Sequence, residues 1–214
     1  ELGAQSTNDK VLAMNRRGHT REDIFRSARL LKERGFELGL QMMTGLYGSN
    51  DEDSIGTARD IISLSPDTAR IYPTVVIENT ELAELYRNGE YRPQTPEELC
   101  AKILPMFERA GIKVIRLGLH SGGDVEGSFV AGAYHPALRE MCEGHIYFDI
   151  INRALSGKEK GKYIIYVAPR EVSKASGQRR CNIEKLRELG YECRIKENAA
   201  LSARDITLEK VNLL

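Results

Sequence analysis

The sequence predicts an α/β protein in which half of a β/α barrel precedes a small α+β module. From residue 1 to residue 119, β-prone apolar segments alternate with amphipathic helical segments, which is typical of parallel strands joined by right-handed crossovers. Beyond residue 160 the predicted order becomes strand, helix, helix, strand, strand. We therefore expect a half barrel at 1–119, a glycine-rich loop, a capping helix and a linker at 120–160, and the module at 161–214.

Hydrophobic spacing and helix-capping residues predict each element of the first part. Strands are expected at the start of the chain, at 36–43, at 69–77 and at 112–119. Helices are expected after Asn8 or Asp9, after Thr20, and at 51–64, 80–88 and 96–110. The helix at 96 follows Thr95, a hydroxyl cap, and begins with a proline and two glutamates, which helix N-termini favour.

Composition and charge narrow the class of protein. The 214 residues are 41% hydrophobic and 29% charged, without an apolar run of membrane-spanning length or a signal-peptide pattern, so the sequence predicts a cytoplasmic protein with no membrane partner. The net charge is zero overall, but from Ser156 onward 13 Lys/Arg outnumber 8 Asp/Glu. A basic C-terminal module on an acidic body favours a polyanionic partner.

Two blocks of sequence in register carry a family resemblance. The first is I-Y-P-T-V-V-I-E-N-T-E-L (71–82), and the second is G-E-Y-R-P-Q-T-P-E-E (89–98). Together they resemble the last strand-helix unit of the radical S-adenosylmethionine (SAM) barrel in the Elongator catalytic subunit family. The resemblance extends back through E-L-G-A-Q-S, N-R-R-G-H-T and M-M-T-G-L, and covers 1–119.

This resemblance implies SAM and a 4Fe-4S cluster as cofactors. In radical SAM enzymes a C-x₃-C-x₂-C loop near the start of the barrel holds the cluster. The cysteines of this chain are far apart in sequence, at Cys100, Cys142, Cys181 and Cys193, and form no such loop. We therefore expect no metal ligands in this chain, and interpret it as the C-terminal portion of a longer protein whose missing N-terminal half completes the barrel and holds the cluster.

The resemblance also implies which residues contact SAM. They are Gln5, Arg17, Gln41 and Tyr72, with Arg16 as an alternative to Arg17. The ligand site of a parallel barrel lies at the carboxyl ends of its strands, and a planar guanidinium suits the SAM carboxylate. The competing interpretation is structural: the glutamines would cap buried backbone groups, and the arginine would pair with a surface carboxylate.

The module at 161–214 resembles the KH fold, in which a G-x-x-G loop between two helices clamps single-stranded RNA backbone. The corresponding loop is Gly177-Gln178-Arg179-Arg180, preceded by Lys174. These five residues are the RNA-binding candidates. Arginine stands at the second glycine position, which removes the closest backbone approach and adds charge.

The implied activity of the intact protein is reductive SAM cleavage followed by hydrogen abstraction from a substrate, with a modified base of RNA, preferably tRNA, as the target. One alternative is a non-catalytic RNA-binding protein on a degenerate barrel, and another is a porphyrinogen-oxidase-like enzyme. His120 and Asp124 are either an acid-base pair or part of a structural loop. The acetyltransferase domain of true Elongator subunits has no counterpart in the sequence.

Overall fold

A computed structural model describes residues 1–94, 96–119 and 127–211. Thr95, His120 and Asp124, for which the sequence made predictions, lie outside these ranges. The chain divides into two compact units, Glu1–Leu138 and Arg139–Leu214, and the division falls inside the predicted loop, helix and linker region. Within the described ranges, no helix combines the length and apolar character that a membrane span requires.

The first unit alternates strands with helices, as the sequence predicts. Its strands are β1 (Leu2–Gln5), β2 (Gly39–Thr44), β3 (Thr68–Pro73), β4 (Val75–Ile77), β5 (Lys113–Leu117) and β6 (Phe129–Gly132). Its helices are α1 (Asp9–Met14), α2 (Arg21–Glu33), α3 (Asp51–Ser63), α4 (Glu81–Arg87) and α5 (Pro96–Arg109). In the described residues, β1, β2, β3 and β5 form a parallel sheet in that order. The predicted α/β class with a partial barrel is confirmed.

The two faces of this sheet differ in polarity. Burial alternates along β2 and β3, so that Leu40, Met42, Ala69 and Ile71 are fully buried while the residues between them are half-exposed. Helices α2, α3 and α5 contact the strands of this sheet, and the buried side chains form a core on one face. The other face carries polar side chains, and the candidate residues lie on it.

The segment predicted as one strand at 69–77 is two strands, so that prediction is wrong in detail. β3 ends at Pro73, whose nitrogen carries no hydrogen for a sheet ladder. The amide of Thr74 still donates to the carbonyl of Thr44 (2.8 Å), after which β4 leaves the parallel sheet and pairs antiparallel with β6. The β4–β6 ribbon packs through Val76 against Ala83 of α4 and against Tyr91.

The second unit contains α6 (Leu138–Leu155, whose first residue belongs to the first unit), β7 (Gly161–Val167), α7 (Val172–Ser176), a 3₁₀ turn (Gln178–Arg180), α8 (Cys181–Glu188), β8 (Tyr191–Glu197) and β9 (Ile206–Lys210). After α6 the order is strand, helix, helix, strand, strand, as the sequence predicts. β7 is the central strand in the described residues, parallel to β8 and antiparallel to β9.

Helix α6 contributes to the core of this second unit. Its residues Tyr147, Ile151 and Leu155 are fully buried and cluster with Ile165 of β7 and Leu186 of α8. The assignment of this helix as a cap on the half barrel stays a prediction. The structure shows that its face with Tyr147, Ile151 and Leu155 packs among the strands and helices that follow it. An amphipathic pattern fixes which face of a helix is buried but not its partner.

Candidate functional site

Two glutamines on adjacent parallel strands contact each other. Gln5 is the last residue of β1, and Gln41 lies in the middle of β2. The Nε2 of Gln41 donates to the Oε1 of Gln5 at 3.0 Å, and both side chains are half-buried. Because each amide satisfies one group of its neighbour, the pair is held in place while further donors and acceptors stay available.

The path of β1 directs Gln5 into this contact. Its φ is 61°, a left-handed conformation, and the register between β1 and β2 shifts between Gly3 and Gln5. The side chain folds back over Gly3, where an added Cβ would lie 2.6 Å from the Nε2 of Gln5. The glycine two residues before the glutamine in the E-L-G-A-Q-S segment is therefore required for this arrangement.

The two arginines after α1 point to different partners. The Nη2 of Arg17 lies 3.8 Å from the sulfur of Met43, a half-exposed residue of β2. Arg16, with φ of 51°, instead pairs at 2.8 Å with Glu81 at the start of α4. Arg17 is thus the one that reaches the strand carrying Gln41. The contact with Met43 was missed in the sequence, because neither spacing nor residue type signals it.

Tyr72 lies on β3 in register with Met43. Its hydroxyl is 3.5 Å from the Nη1 of Arg70, two residues earlier on the same strand. The four residues that the resemblance implicates in SAM contact therefore lie on or beside neighbouring strands, Gln5 on β1, Gln41 and the partner of Arg17 on β2, and Tyr72 on β3.

The turn after β2 is fixed by side chains from two other segments. The hydroxyl of Tyr91 donates to the carbonyl of Gly45 at 2.7 Å, and the Nδ2 of Asn15 donates to the carbonyl of Tyr47 at 2.8 Å. Burial raises the pKa of Tyr91 to about 12, so the phenol stays a donor at physiological pH. The sequence analysis gave Tyr91 only as a family match, and its role in holding the turn comes from tertiary contact.

The described residues do not fit an iron-sulfur cluster. Cys100, Cys142 and Cys193 are buried and Cys181 is exposed. Among residues 1–94, 96–119 and 127–211, no group of three or more His, Cys, Asp or Glu side chains is arranged to hold a metal ion. A four-iron cluster needs several thiolates around one centre.

The loop in the second unit has an unusual backbone. Gly177 has φ of 73°, and both Arg179 (51°) and Arg180 (63°) are left-handed as well. A Cβ on Gly177 would lie 2.7 Å from the sulfur of Cys181 and 2.9 Å from the Oδ1 of Asn182. The glycine is therefore required both for its φ and for close packing, while both arginine side chains are exposed.

Lys174 is engaged inside the second unit. Its ammonium lies 2.8 Å from the Oε1 of Glu171 and 3.3 Å from the buried carboxylate of Glu143. Burial alone would lower the pKa of Lys174, but the Glu171 hydrogen bond and the Glu143 charge raise it. Arg179 and Arg180 are more accessible to a ligand, because no ion pair in the described part of the chain engages either of them.

Asn182 fastens the loop to its surroundings. Its side chain is buried, and its Nδ2 donates to the carbonyls of Gly144 (2.8 Å) and Ala175 (3.0 Å). One residue thus joins α6, α7 and α8 immediately behind the turn. In this fold the role of Asn182 is to satisfy two backbone groups.

Family models match most of the first unit and the start of the second. The model of the Radical SAM superfamily matches residues 1–61, and that of the Radical SAM C-terminal domain matches residues 66–147. The chain therefore belongs to the radical SAM superfamily. Within it, the chain is homologous to the tRNA uridine(34) acetyltransferase and Elongator complex protein 3 family.

Individual relatives support this assignment. The tRNA uridine(34) acetyltransferase of Methanocaldococcus jannaschii is 39% identical over 101 residues, which are 46% of this chain and 19% of that protein. Elongator complex protein 3 of Homo sapiens is 34% identical over 118 residues, covering 50% of this chain and 20% of the human protein. The chain thus spans about a fifth of the length of these curated relatives.

A solved structure shares the fold. The archaeal Elp3 of Methanocaldococcus infernus with an N-terminal deletion superposes with a TM-score of 0.55 at 28% identity. The similarity covers 72% of this chain and 36% of that one. The half barrel described above is therefore a shared architecture.

Proposed function

We propose that this chain is the SAM-binding part of a radical SAM enzyme that acts on RNA. The observation that carries the proposal is the hydrogen-bonded pair of Gln5, the last residue of β1, and Gln41, within β2, on adjacent parallel strands of a family-matched barrel. Arg17 lies beside the same strand through Met43, and Tyr72 follows on the next strand. RNA is supported by the names of the tRNA uridine(34) acetyltransferase relatives.

The donor set suits the amino-acid end and the ribose of SAM. A guanidinium binds both oxygens of a carboxylate, and side-chain amides both donate to and accept from hydroxyl or amino groups. SAM, when bound, would supply the reactive group of the superfamily. The described residues do not provide cluster ligands, so they are assigned binding and orientation only.

Arg17→Ala tests the SAM site, with Arg16→Ala as the matched control. A hydrogen bond to a charged group contributes about 1.5–3 kcal/mol, so the loss of Arg17 is expected to weaken SAM binding roughly tenfold or more. Arg16→Ala removes a neighbouring charge of the same type, which pairs with the exposed Glu81, and should leave the affinity nearly unchanged. Calorimetry with SAM on the 214-residue protein measures both, and equal affinities for the two variants would refute the assignment.

We further propose that the second unit is a KH-like module that contacts single-stranded RNA through residues 177–180. Arg179 and Arg180 are exposed on a turn that Gly177 and Asn182 hold in shape. Guanidinium groups on a fixed backbone suit phosphate oxygens. Lys174 contributes to the turn through its ion pairs with Glu171 and Glu143.

Replacing Arg179 and Arg180 with aspartate tests this contact. If the loop binds phosphates, affinity for all single-stranded sequences should fall alike, and the salt dependence should become shallower. The control is Lys158→Asp with Lys196→Asp, which changes the net charge equally at exposed positions outside the loop. The measurement is filter binding of a tRNA-derived single strand at two salt concentrations. Equal losses of RNA affinity for both double variants, or no RNA binding by the unchanged protein at low salt, would overturn the proposal.

A further inference from the structure

Two arginines occupy one row of the polar sheet face. In the register of the parallel sheet, Gln41 of β2 pairs with Arg70 of β3, and Arg70 pairs with Arg116 of β5. Register partners on neighbouring strands lie about 4.8 Å apart. The row thus places Arg70 on the strand next to Gln41, whose amide contacts Gln5, and Arg116 on the strand after that.

The flanking residues show on which face this row lies. Arg70 is preceded by Ala69 and followed by Ile71, which are both buried among the core residues. Their partners on β5, Val114 and Leu117, are buried as well. Arg70 and Arg116 are both half-exposed, and their register positions put them on the face opposite this core. This is the same face that carries Gln41 and Tyr72.

The described residues balance the charge of this row only in part. The Glu1 carboxylate lies 3.2 Å from the Nε of Arg70, yet this nitrogen is buried and its hydrogen has no aligned acceptor. The Nη1 of Arg70 is 3.5 Å from the hydroxyl of Tyr72. Glu1 offsets one of the two guanidinium charges, and no ion pair within the described residues offsets that of Arg116. Like charges in direct register destabilise a sheet, so a further anion against the row would stabilise it.

We propose that Arg70 and Arg116 form an oxyanion-binding site on the polar sheet face. The ligand group is a phosphate, since two neighbouring guanidinium forks offer several parallel N–H donors to its oxygens. The inference rests on the proposed function for its source, a phosphate of the RNA substrate. The site differs from Arg17, which approaches the sheet from the segment after α1.

The proposed site begins on the strand next to the one that carries Gln41. Gln41 is the register neighbour of Arg70, and Tyr72 is two residues further toward the carboxyl end of β3. A phosphate of the RNA substrate bound to the arginines would therefore lie beside the candidate SAM residues Gln41 and Tyr72.

The Nε–Hε resonances of the arginines offer a direct readout on the 214-residue protein. We expect saturable shifts for Arg70 and Arg116 when inorganic phosphate replaces chloride at constant ionic strength. Arg116→Gln should weaken phosphate binding about tenfold, which corresponds to one charged hydrogen bond. Arg59→Gln, at an exposed position of α3, is the matched control and should leave the titration unchanged.

Further probes identify the source of the oxyanion. Shifts with adenosine monophosphate but not with adenosine assign a phosphate, whereas shifts with SAM but not with adenosine monophosphate would assign the arginines to the SAM carboxylate and overturn the phosphate site. If Arg116→Gln lowers the thermal stability too far, Arg116→Lys serves instead, because it keeps the charge but lacks the fork, and a roughly threefold loss is expected. The proposed site would be overturned if no probe gave a saturable shift, or if Arg59→Gln lost as much phosphate affinity as Arg116→Gln. Arg17→Ala should leave phosphate binding intact, so this inference and the SAM proposal fail separately.

Discussion

The two candidate sites of this molecule are held in place by different means. In the first unit, Gln5 and Gln41 are positioned by the register of parallel strands and by one hydrogen bond between side chains. In the second unit, Arg179 and Arg180 are positioned by a left-handed backbone that depends on Gly177. The sheet site is an arrangement of side chains, whereas the loop site is an arrangement of the main chain.

This difference determines how each site should respond to substitution. Side chains on an ordered sheet can be changed at a cost to binding while most of the stability remains. A strained backbone persists only where the surroundings enforce it, so changes behind the loop should reduce stability and binding together. Substitutions at matched positions test this distinction.

Gly177→Ala is expected to have the largest effect. The new Cβ would lie 2.7 Å from the sulfur of Cys181, on a residue with φ of 73°. We therefore expect the free energy of unfolding to fall by roughly 2–3 kcal/mol. Gly157→Ala is the control, because Gly157 has φ of 76° with nothing within 4 Å. It should cost only about 1 kcal/mol. Urea unfolding measures both, and equal losses would show that packing behind the loop does not matter.

Tyr147→Phe tests the buried polar contacts of the second unit. The Tyr147 hydroxyl donates to the Oε2 of Glu171 at 2.6 Å and accepts from the amide of Arg204 at 3.2 Å. Its removal should cost about 1–2 kcal/mol at neutral pH. Tyr166→Phe, which removes a similar bond to Glu209 on the surface, should change the stability by less than about 0.5 kcal/mol.

The cost of Tyr147→Phe should depend on pH in a defined direction. Burial alone would raise the pKa of Glu171, but hydrogen bonds from Lys174 and Tyr147 lower it below the usual 4.5. A carboxylate with a lowered folded pKa contributes stability above its unfolded pKa, and this contribution is lost as the pH falls through the folded value. The difference between wild type and variant should therefore shrink below about pH 4.5. A constant difference down to pH 3 would contradict the role of Glu171.

Gly3→Ala is expected to affect the sheet site with little change in stability. The added Cβ would lie 2.6 Å from the Nε2 of Gln5, the end of a flexible side chain that can move away. We expect less than about 1 kcal/mol of destabilisation. Losing the Gln5–Gln41 arrangement should weaken SAM binding about three- to tenfold. Gly18→Ala is the control, because nothing lies within 4 Å of a Cβ at this position. If calorimetry gives equal SAM affinities for the two variants, Gln5 does not contribute to SAM binding.

The sequence predicted the elements well where local spacing decides them. Parallel strands follow from the alternation of strands and helices, and Gln5 and Gln41 lie on two such strands that are neighbours in the sheet. The split of 69–77 into β3 and β4 was not predictable, because an unbroken apolar run does not show that Val75 pairs with Gly132 on a distant strand.

Tertiary contacts account for the rest of what was missed. The apolar stripe of α6 indicates burial, but not that Tyr147 and Ile151 pack against the second sheet. The contact between Arg17 and Met43 and the bond from Tyr91 to Gly45 join segments far apart in the chain, and no spacing rule signals them. The pairing of Arg70 with Arg116 likewise depends on the sheet register.

Arg180→Gly is expected to have the smallest effect on stability, and it tests the loop most directly. Arg180 occupies the second glycine position of a G-x-x-G pattern with φ of 63°. The left-handed region costs a side chain about 1–2 kcal/mol, while glycine loses more entropy on folding, so the net stabilisation should be roughly 0.5–1 kcal/mol. Arg180→Ala keeps the strain and removes the same charge, so it should show no such gain.

Binding should change in the opposite direction to stability. Both Arg180→Gly and Arg180→Ala remove one phosphate contact, so each should weaken low-salt RNA binding and reduce the salt slope by about one contact. A gain in RNA affinity for Arg180→Gly alone would mean that close approach of the RNA backbone to the loop outweighs the charge of Arg180. Unfolding by urea and filter binding on the same two variants distinguish these outcomes. If Arg180→Gly alone gains RNA affinity, RNA binding by the loop depends on main-chain shape and not on the charge of Arg180. The fold would then accommodate an arginine at this position at a small cost in backbone strain.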